Sequence, residues 1–132
     1  MNTRPLPLLL GLGLLSACTP HGGPSEPLLL EKQRQCPVHV NVGQALTLSL
    51  PSNPSTGYRW LLQNPANSVL TALGPEVYSH PEEVGLVGSA GQSQWRFKAT
   101  QAGSGHLLLV YQQPWAPEVK PVQTFDCDIE VR

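Results

Sequence analysis

The sequence predicts an all-β, immunoglobulin-like sandwich of about seven antiparallel strands, and three observations carry that prediction. Apolar residues alternate with polar ones in short runs from residue 38 to the C-terminus. Turn-forming residues separate the runs. Two cysteines, Cys36 and Cys127, share the phase of the apolar residues in the first and last runs. The chain has 132 residues, 13 % of them charged, with a net charge of -1, which suits one small domain. No stripe of lysine and arginine marks a nucleic-acid surface, and the acidity is too slight to specify a cationic partner.

Residues 1–17 read as an export signal. Arg4 supplies a short positive start, Leu6 to Leu15 form an apolar run broken by Pro7, and Leu15-Ser16-Ala17-Cys18 follows. The run is too short to span a bilayer. The tetrad resembles a bacterial lipobox, which implies cleavage before Cys18 and acylation of its sulfur; a plain signal peptide with an incidental cysteine is the competing reading. Several acyl chains on one residue anchor durably where a single chain is marginal. The resemblance thus implies an exported protein held to a membrane through Cys18, periplasmic or surface-facing. Thr19, in place of Asp, favours the outer membrane where a cell has two.

Residues 18–35 follow as a tether, since Thr19 to Pro27 contain three prolines and two glycines without apolar periodicity. Leu28-Leu29-Leu30 either pack against the domain or form its first strand. The domain itself is expected over 36–132. Val38, Val40 and Val42 make its first run, Leu46, Leu48 and Leu50 the second, and Tyr58 and Trp60 open the third. A fourth, less regular run lies within Val69 to Tyr78, with a helix around Ser68 to Leu73 as the weaker reading of that stretch. Trp95, Phe97 and Ala99 form the fifth run, Leu107, Leu109 and Tyr111 the sixth, and Phe125, Cys127, Ile129 and Val131 the seventh.

In an exported protein, Cys36 and Cys127 pointing into one core from the first and last strands are expected to form a disulfide. A metal site on Cys36, His39 and Cys127 is the alternative. It is disfavoured because His39 is out of phase with Cys36 and faces the other side of the sheet, and no fourth ligand is evident. Neither a metal nor a cofactor is expected.

Strand parity then groups the connections. If seven strands alternate in direction, the connections after the second, fourth and sixth lie at one end of the sandwich: residues 51–57, 79–92 and 113–121. The other connections, at Gly43, Asn64 to Asn67 and Gln101 to Ser104, are short. Three long loops at one end are an arrangement suited to binding. Asn53-Pro54-Ser55-Thr56-Gly57-Tyr58 is stiffened by proline and carries no ionisable side chain apart from the tyrosine phenol. The second loop is glycine-rich, and in the third Trp115 stands between Pro114 and Pro117. A tryptophan held on a stiff loop is a typical binding anchor; the alternative is that Trp115 folds back as a lid on the core.

The segments NPSTGYRW (53–60), GLVGSAGQSQWRFKA (85–99) and YQQPWAPE (111–118) resemble, in order and spacing, the three signature loops of the chagasin family of cysteine-protease inhibitors. The resemblance spans Val38 to Val131. The first motif keeps the family's Asn-Pro-Thr-Thr-Gly-Tyr, with Ser55 at one threonine position. The second departs from Gly-x-Gly-Gly, because Gly88-Ser89-Ala90-Gly91 has Ala90 at the third position. The third has Gln113 where arginine is usual before Pro114-Trp115.

The resemblance implies reversible inhibition of papain-like proteases by a protein that is not itself an enzyme. Asn53 to Gly57 would enter the active-site cleft with Thr56 nearest the catalytic cysteine and histidine, Tyr58 completing the motif. Trp115 would pack on an aromatic surface on the primed side, and Gly88 to Gly91 would contact the opposite flank. Gln113 lacks the planar charged fork of arginine, which implies weaker or retargeted binding. The target would be the cell's own protease, a host's or a competitor's, engaged by a monomer. Two other readings compete. An enzyme would have to use Ser55 with His80 or His106 and the acids Glu82 and Glu83, yet nothing adjacent in sequence activates Ser55. An immunoglobulin-like module for another surface partner is the remaining alternative, because a fold alone carries no function.

Overall fold

The structure, a computed structural model, describes residues 2–5, 7, 11–14, 26–80 and 91–132. Cys18, Gly88, Ser89 and Ala90 lie outside the described residues. Period-two runs become strands that bury one face each. In β3 (Ala45–Ser52) Leu46, Leu48 and Leu50 turn inward, and in β7 (Gly91–Ala99) Trp95, Phe97 and Ala99 do so. β1 (Leu28–Leu30), β5 (Leu70–Ala72) and β6 (Val77–Ser79) complete their sheet, in the order β1-β3-β7-β5 with β6 also paired to β7. The second sheet runs β2-β9-β8-β4, with β2 at Val38–Val40, β4 at Arg59–Pro65, β8 at Gly103–Gln112 and β9 at Gln123–Val131.

The all-β class predicted from the alternation is the one observed, and the differences lie at its edges. Nine strands are present among the described residues, because the N-terminal leucines add one and the fourth run divides in two. Gly74 and Pro75 divide it: proline has no N–H to give a ladder, so Leu70–Ala72 pair with β7 near Ala99 and Val77–Ser79 pair with it near Gln92. Ser68 to Leu73 is no helix but a turn over 67–69 running into β5. Two pairs are parallel, β1 with β3 and β2 with β9, whereas the expectation was of antiparallel strands throughout. Val42 leaves the core and is half-exposed, since β2 ends at Val40 and Asn41 to Gln44 form a turn.

The folded unit also begins earlier than residue 36. Leu30 is wholly buried against β3. Gln35 binds the intervening backbone, accepting from the N–H groups of Glu31 (2.8 Å) and Lys32 (2.9 Å) and donating to Leu29 O (3.1 Å). Gln33 acts as a false ladder residue, accepting from Asp126 N at 2.8 Å and donating to Asp126 O. Leu28–Leu30 thus form the first strand, one of the two readings left open for them, and residues 31–35, expected in the tether, are part of the sandwich as well.

Cys36 and Cys127 are bonded, with Cα atoms 5.3 Å apart and a sequence separation of 91. That bond removes both thiols from the metal-site alternative. His39 is exposed on the outer face, as its phase requires. The core collects Phe97, Leu46, Leu48, Leu107, Leu109 and Ile129, all fully buried, each contributing roughly 1.5–3 kcal/mol relative to exposure. Ser93 is the exception among them: it is fully buried on β7 and its hydroxyl has no hydrogen-bond partner among the described residues. An unpaired buried hydroxyl costs about 1–3 kcal/mol. Ser93→Ala is therefore expected to raise the melting temperature by several degrees, measured by circular dichroism; a lower melting temperature would mean the hydroxyl is satisfied in solution.

Candidate functional site

The strand registers place every loop. Ser52 pairs with Gly91 and Ser79 with Gln92 in one sheet, while Arg59 pairs with Gln112 and Tyr111 with Gln123 in the other. Because 53–58 joins the two sheets directly, those ends share one pole, and the connections 53–58, 80–90 and 113–122 all leave from it. Short turns at 41–44, 66–69 and 100–102 occupy the other pole. Parity survives the extra strands because β5 and β6 run in the same direction against β7.

The first loop is a single 3-10 turn over Pro54–Thr56, with Asn53 as its N-cap. Proline at the first position has a suitable φ and no orphan donor. Asn53 Oδ1 accepts from Ser55 N at 3.2 Å and from Ser55 Oγ at 2.5 Å. Thr56 Oγ1 donates to Asn53 O at 2.7 Å and accepts from Tyr58 N at 3.3 Å. The loop's own polar side chains thus close it internally, in the manner of Asx and Ser/Thr turns. Gly57 ends the turn at φ 82°, a left-handed conformation that costs a side chain dear.

Trp115 decides how the third loop meets the first. It is 68 % exposed, so it does not fold back as a lid on the core. Its indole instead lies on Gly57, where an added Cβ would stand 2.3 Å from Cη2. The backbone turns there by a hydrogen bond from Ala116 N to Gln113 O, 3.0 Å long. Gln113 Nε2 reaches to 3.5 Å from Thr56 O, at the outer limit of contact. Beneath both loops Tyr111 Oη accepts from Asn53 N at 3.0 Å, and Trp60 Nε1 donates to Pro51 O at 3.0 Å.

Of the second loop's four candidate residues only Gly91 is described. It opens β7 so close to β6 that a Cβ would meet Ser79 O at 2.4 Å and the Tyr78 ring at 2.5–2.6 Å, so glycine is required there for the two strands to meet. Pro114 and Ser55 are exposed at the pole, and Asn53, Pro54, Gly57, Tyr58 and Gln113 are half-buried. The pole thus gathers every described residue of the expected protease-binding set.

No nucleophile and base come together there among the described residues. Ser55 Oγ is bound to Asn53 Oδ1. His80 lies edge-on to Tyr78, with centroids 6.4 Å apart, and Glu82 and Glu83 lie outside the described residues. His106 belongs to the opposite half of β8, where Nε2 meets Asp126 Oδ1 at 2.8 Å and Nδ1 meets Asp128 Oδ1 at 2.9 Å. The hydrogen bond to Asp128 raises its pKa above the ordinary imidazole value, desolvation opposes this, and the charges of Asp126 and Asp128 raise it further. A raised pKa means that the imidazolium's contribution to stability is present in full below the unfolded value of about 6.5 and is lost as pH climbs through the folded value. His106→Gln is therefore expected to lower the melting temperature more at about pH 5.5 than at about pH 8.5, checked by thermal melts at both.

Residues 39–129 match the family model described as Chagasin family peptidase inhibitor I42. The chain belongs to the chagasin family. Chagasin of Trypanosoma cruzi is 31 % identical over 81 residues, covering 58 % of this chain and 71 % of that protein. Amoebiasin-1 of Entamoeba histolytica is 28 % identical over 104 residues, covering 79 % and 98 %. A cysteine protease inhibitor from Entamoeba histolytica has the same fold in its crystal structure, with a TM-score of 0.70 at 22 % identity over 83 % of this chain and all of that one. PbICP-C, solved in complex with falcipain-2, shares the fold with a TM-score of 0.54 at 18 % identity, covering 84 % and 95 %. Within the chagasin family this chain is an inhibitor and not an enzyme. Tyr111 and Trp60 lie within the segments 111–118 and 53–60, but their phase on the strands marks them as core, as they are; the signal of a role at the site is a polar atom on a buried ring beside a loop.

Proposed function

We propose that this protein reversibly inhibits papain-like cysteine proteases by closing their active-site cleft with the loop pole. The internally hydrogen-bonded turn at Asn53 to Gly57 carries this reading. It is rigid before binding, so little ordering entropy opposes association, and it offers a catalytic thiolate only hydroxyls and backbone. Thr56 enters nearest the catalytic cysteine and histidine, Trp115 packs on the primed side, and Gly88 to Gly91 contact the other flank. PbICP-C with falcipain-2 is a precedent for a protein of this fold engaging a protease. Titration of the full chain into papain with a peptide substrate tests the proposal. Inhibition below micromolar concentration is expected; none, with the disulfide formed, would favour a module for a different partner. Gln113→Arg is expected to tighten inhibition about 5-fold, a charged hydrogen bond being worth roughly 1 kcal/mol more than a neutral one, as read from the inhibition constant.

The protein works from a membrane, anchored by lipid at Cys18 and exported, with the outer membrane favoured by Thr19. The entry of the chain supports that placement. Gln44 Nε2 donates to Glu26 O at 2.9 Å, and Leu28 pairs with Leu46 at the start of β3. The N-terminal segment therefore joins the sandwich at the pole opposite the loops, which leaves the inhibitory end facing away from an anchor. Globomycin treatment of producing cells, followed by mass spectrometry of Cys18, tests the lipid.

A further inference from the structure

We propose that Tyr111 is a positioning residue for the inhibitory turn, acting with Trp60 as an aromatic bracket that one sheet extends to the loop of the other. The claim rests on the inhibitory reading above. β3 ends at Ser52, which pairs with Gly91, and the next amide, Asn53 N–H, is directed to an acceptor in the other sheet. Tyr111 supplies it from β8, in the opposite sheet, through a 3.0 Å bond to its hydroxyl oxygen. Two residues earlier, Pro51 O takes the Trp60 indole proton at 3.0 Å. The two bonds hold the backbone on either side of Ser52, itself 5 % exposed.

The rings brace each other as well as the loop. Tyr111 and Trp60 have centroids 4.9 Å apart, and Tyr58, at the loop's exit, lies 5.5 Å from Tyr111. Tyr111 is 9 % exposed, so its ring cannot swing out without opening the core. Entrance and exit of the turn thus rest on one buried ring, while Trp115 covers Gly57 from outside. A turn held this way spends nearly all its time in the binding conformation, and loosening it lowers apparent affinity by the competent fraction.

Tyr111→Phe keeps the ring and removes the acceptor. In the full chain it is expected to raise the papain inhibition constant about 5–10-fold, the effect of one lost hydrogen bond, mainly through slower association. Hydrogen exchange at the Asn53 amide is expected to quicken while the Leu109 amide, two residues away in the core strand, is unchanged. An unchanged inhibition constant would overturn the proposal, as would loosening of Leu109 as much as Asn53, which would mean a general packing role. If the wild-type chain failed to inhibit papain, the functional reading would fall, and the Asn53 and Leu109 amides alone would decide the bracket.

Discussion

Gly57→Ala is expected to weaken papain inhibition at least about 100-fold while leaving the sandwich folded. Two costs add at this position. A left-handed φ costs a non-glycine residue roughly 1–2 kcal/mol, and Gly57 sits at φ 82°. The new methyl would also stand 2.3 Å from Trp115 Cη2, well inside any tolerable contact, so either the turn or the indole must move. Both are candidate contacts, and displacement of either by about an ångström removes the benefit of a surface ordered in advance. A combined loss near 3 kcal/mol corresponds to about two decades in affinity. The measurement is a papain inhibition constant beside a thermal melt. The same strain counts against the folded state to the extent that the turn does not relax it, so the melt is expected to fall by up to about 10 °C with the sandwich still formed. Trp115→Ala removes the clash together with the anchor, so the double variant is compared with Trp115→Ala alone: the loss that Gly57→Ala still causes in that background is the backbone strain.

Loss of the Cys36–Cys127 bond is expected to have the largest effect on stability. On the chain-entropy model, a crosslink across 91 residues is worth about 4–5 kcal/mol. Domains of this size have only about 5–15 kcal/mol in total. The paired Cys36→Ala, Cys127→Ala variant, or the wild type in strong reductant, is therefore expected to melt at least about 15 °C lower. The bond ties the segment just before β2 to β9, the neighbour of β2 in the same sheet, and does not join the two sheets, so the core can still close without it. Inhibition measured well below the lowered melting temperature is accordingly expected to persist. A melting temperature indifferent to reductant would contradict the stabilising role.

The features legible in the sequence were those that follow from period. Leu46, Leu48 and Leu50, or Phe125, Cys127 and Ile129, declare an inward face by alternation, and that alone yields the strands, the disulfide and the pole at which the long loops meet. Edge elements were less legible because their partners are distant in sequence. Nothing local shows that Leu28–Leu30 lie parallel to β3, or that Gln33 stands in for a strand residue beside Asp126. The parallel pairing of β2 with β9 is hidden for the same reason. Within the site, Asn53, Pro54, Thr56 and Gly57 could be read as a rigid turn from their own chemistry. The support beneath it could not: Tyr111 and Trp60 fall inside the segments 111–118 and 53–60, but nothing local shows that their polar atoms reach Asn53 N and Pro51 O. Nor could sequence show that Trp115, though exposed, rests on Gly57.

If the loop pole fills a protease's catalytic cleft, the catalytic thiol itself reports it. Papain mixed with a slight molar excess of the full chain would be treated with a small alkylating reagent, and modification of the active-site cysteine followed by mass spectrometry. One equivalent of inhibitor is expected to slow alkylation strongly and to be recovered uncut, and Gly57→Ala is expected to remove the protection. Alkylation at the rate of free papain, in a mixture where the two proteins are demonstrably bound, would contradict occupation of the cleft.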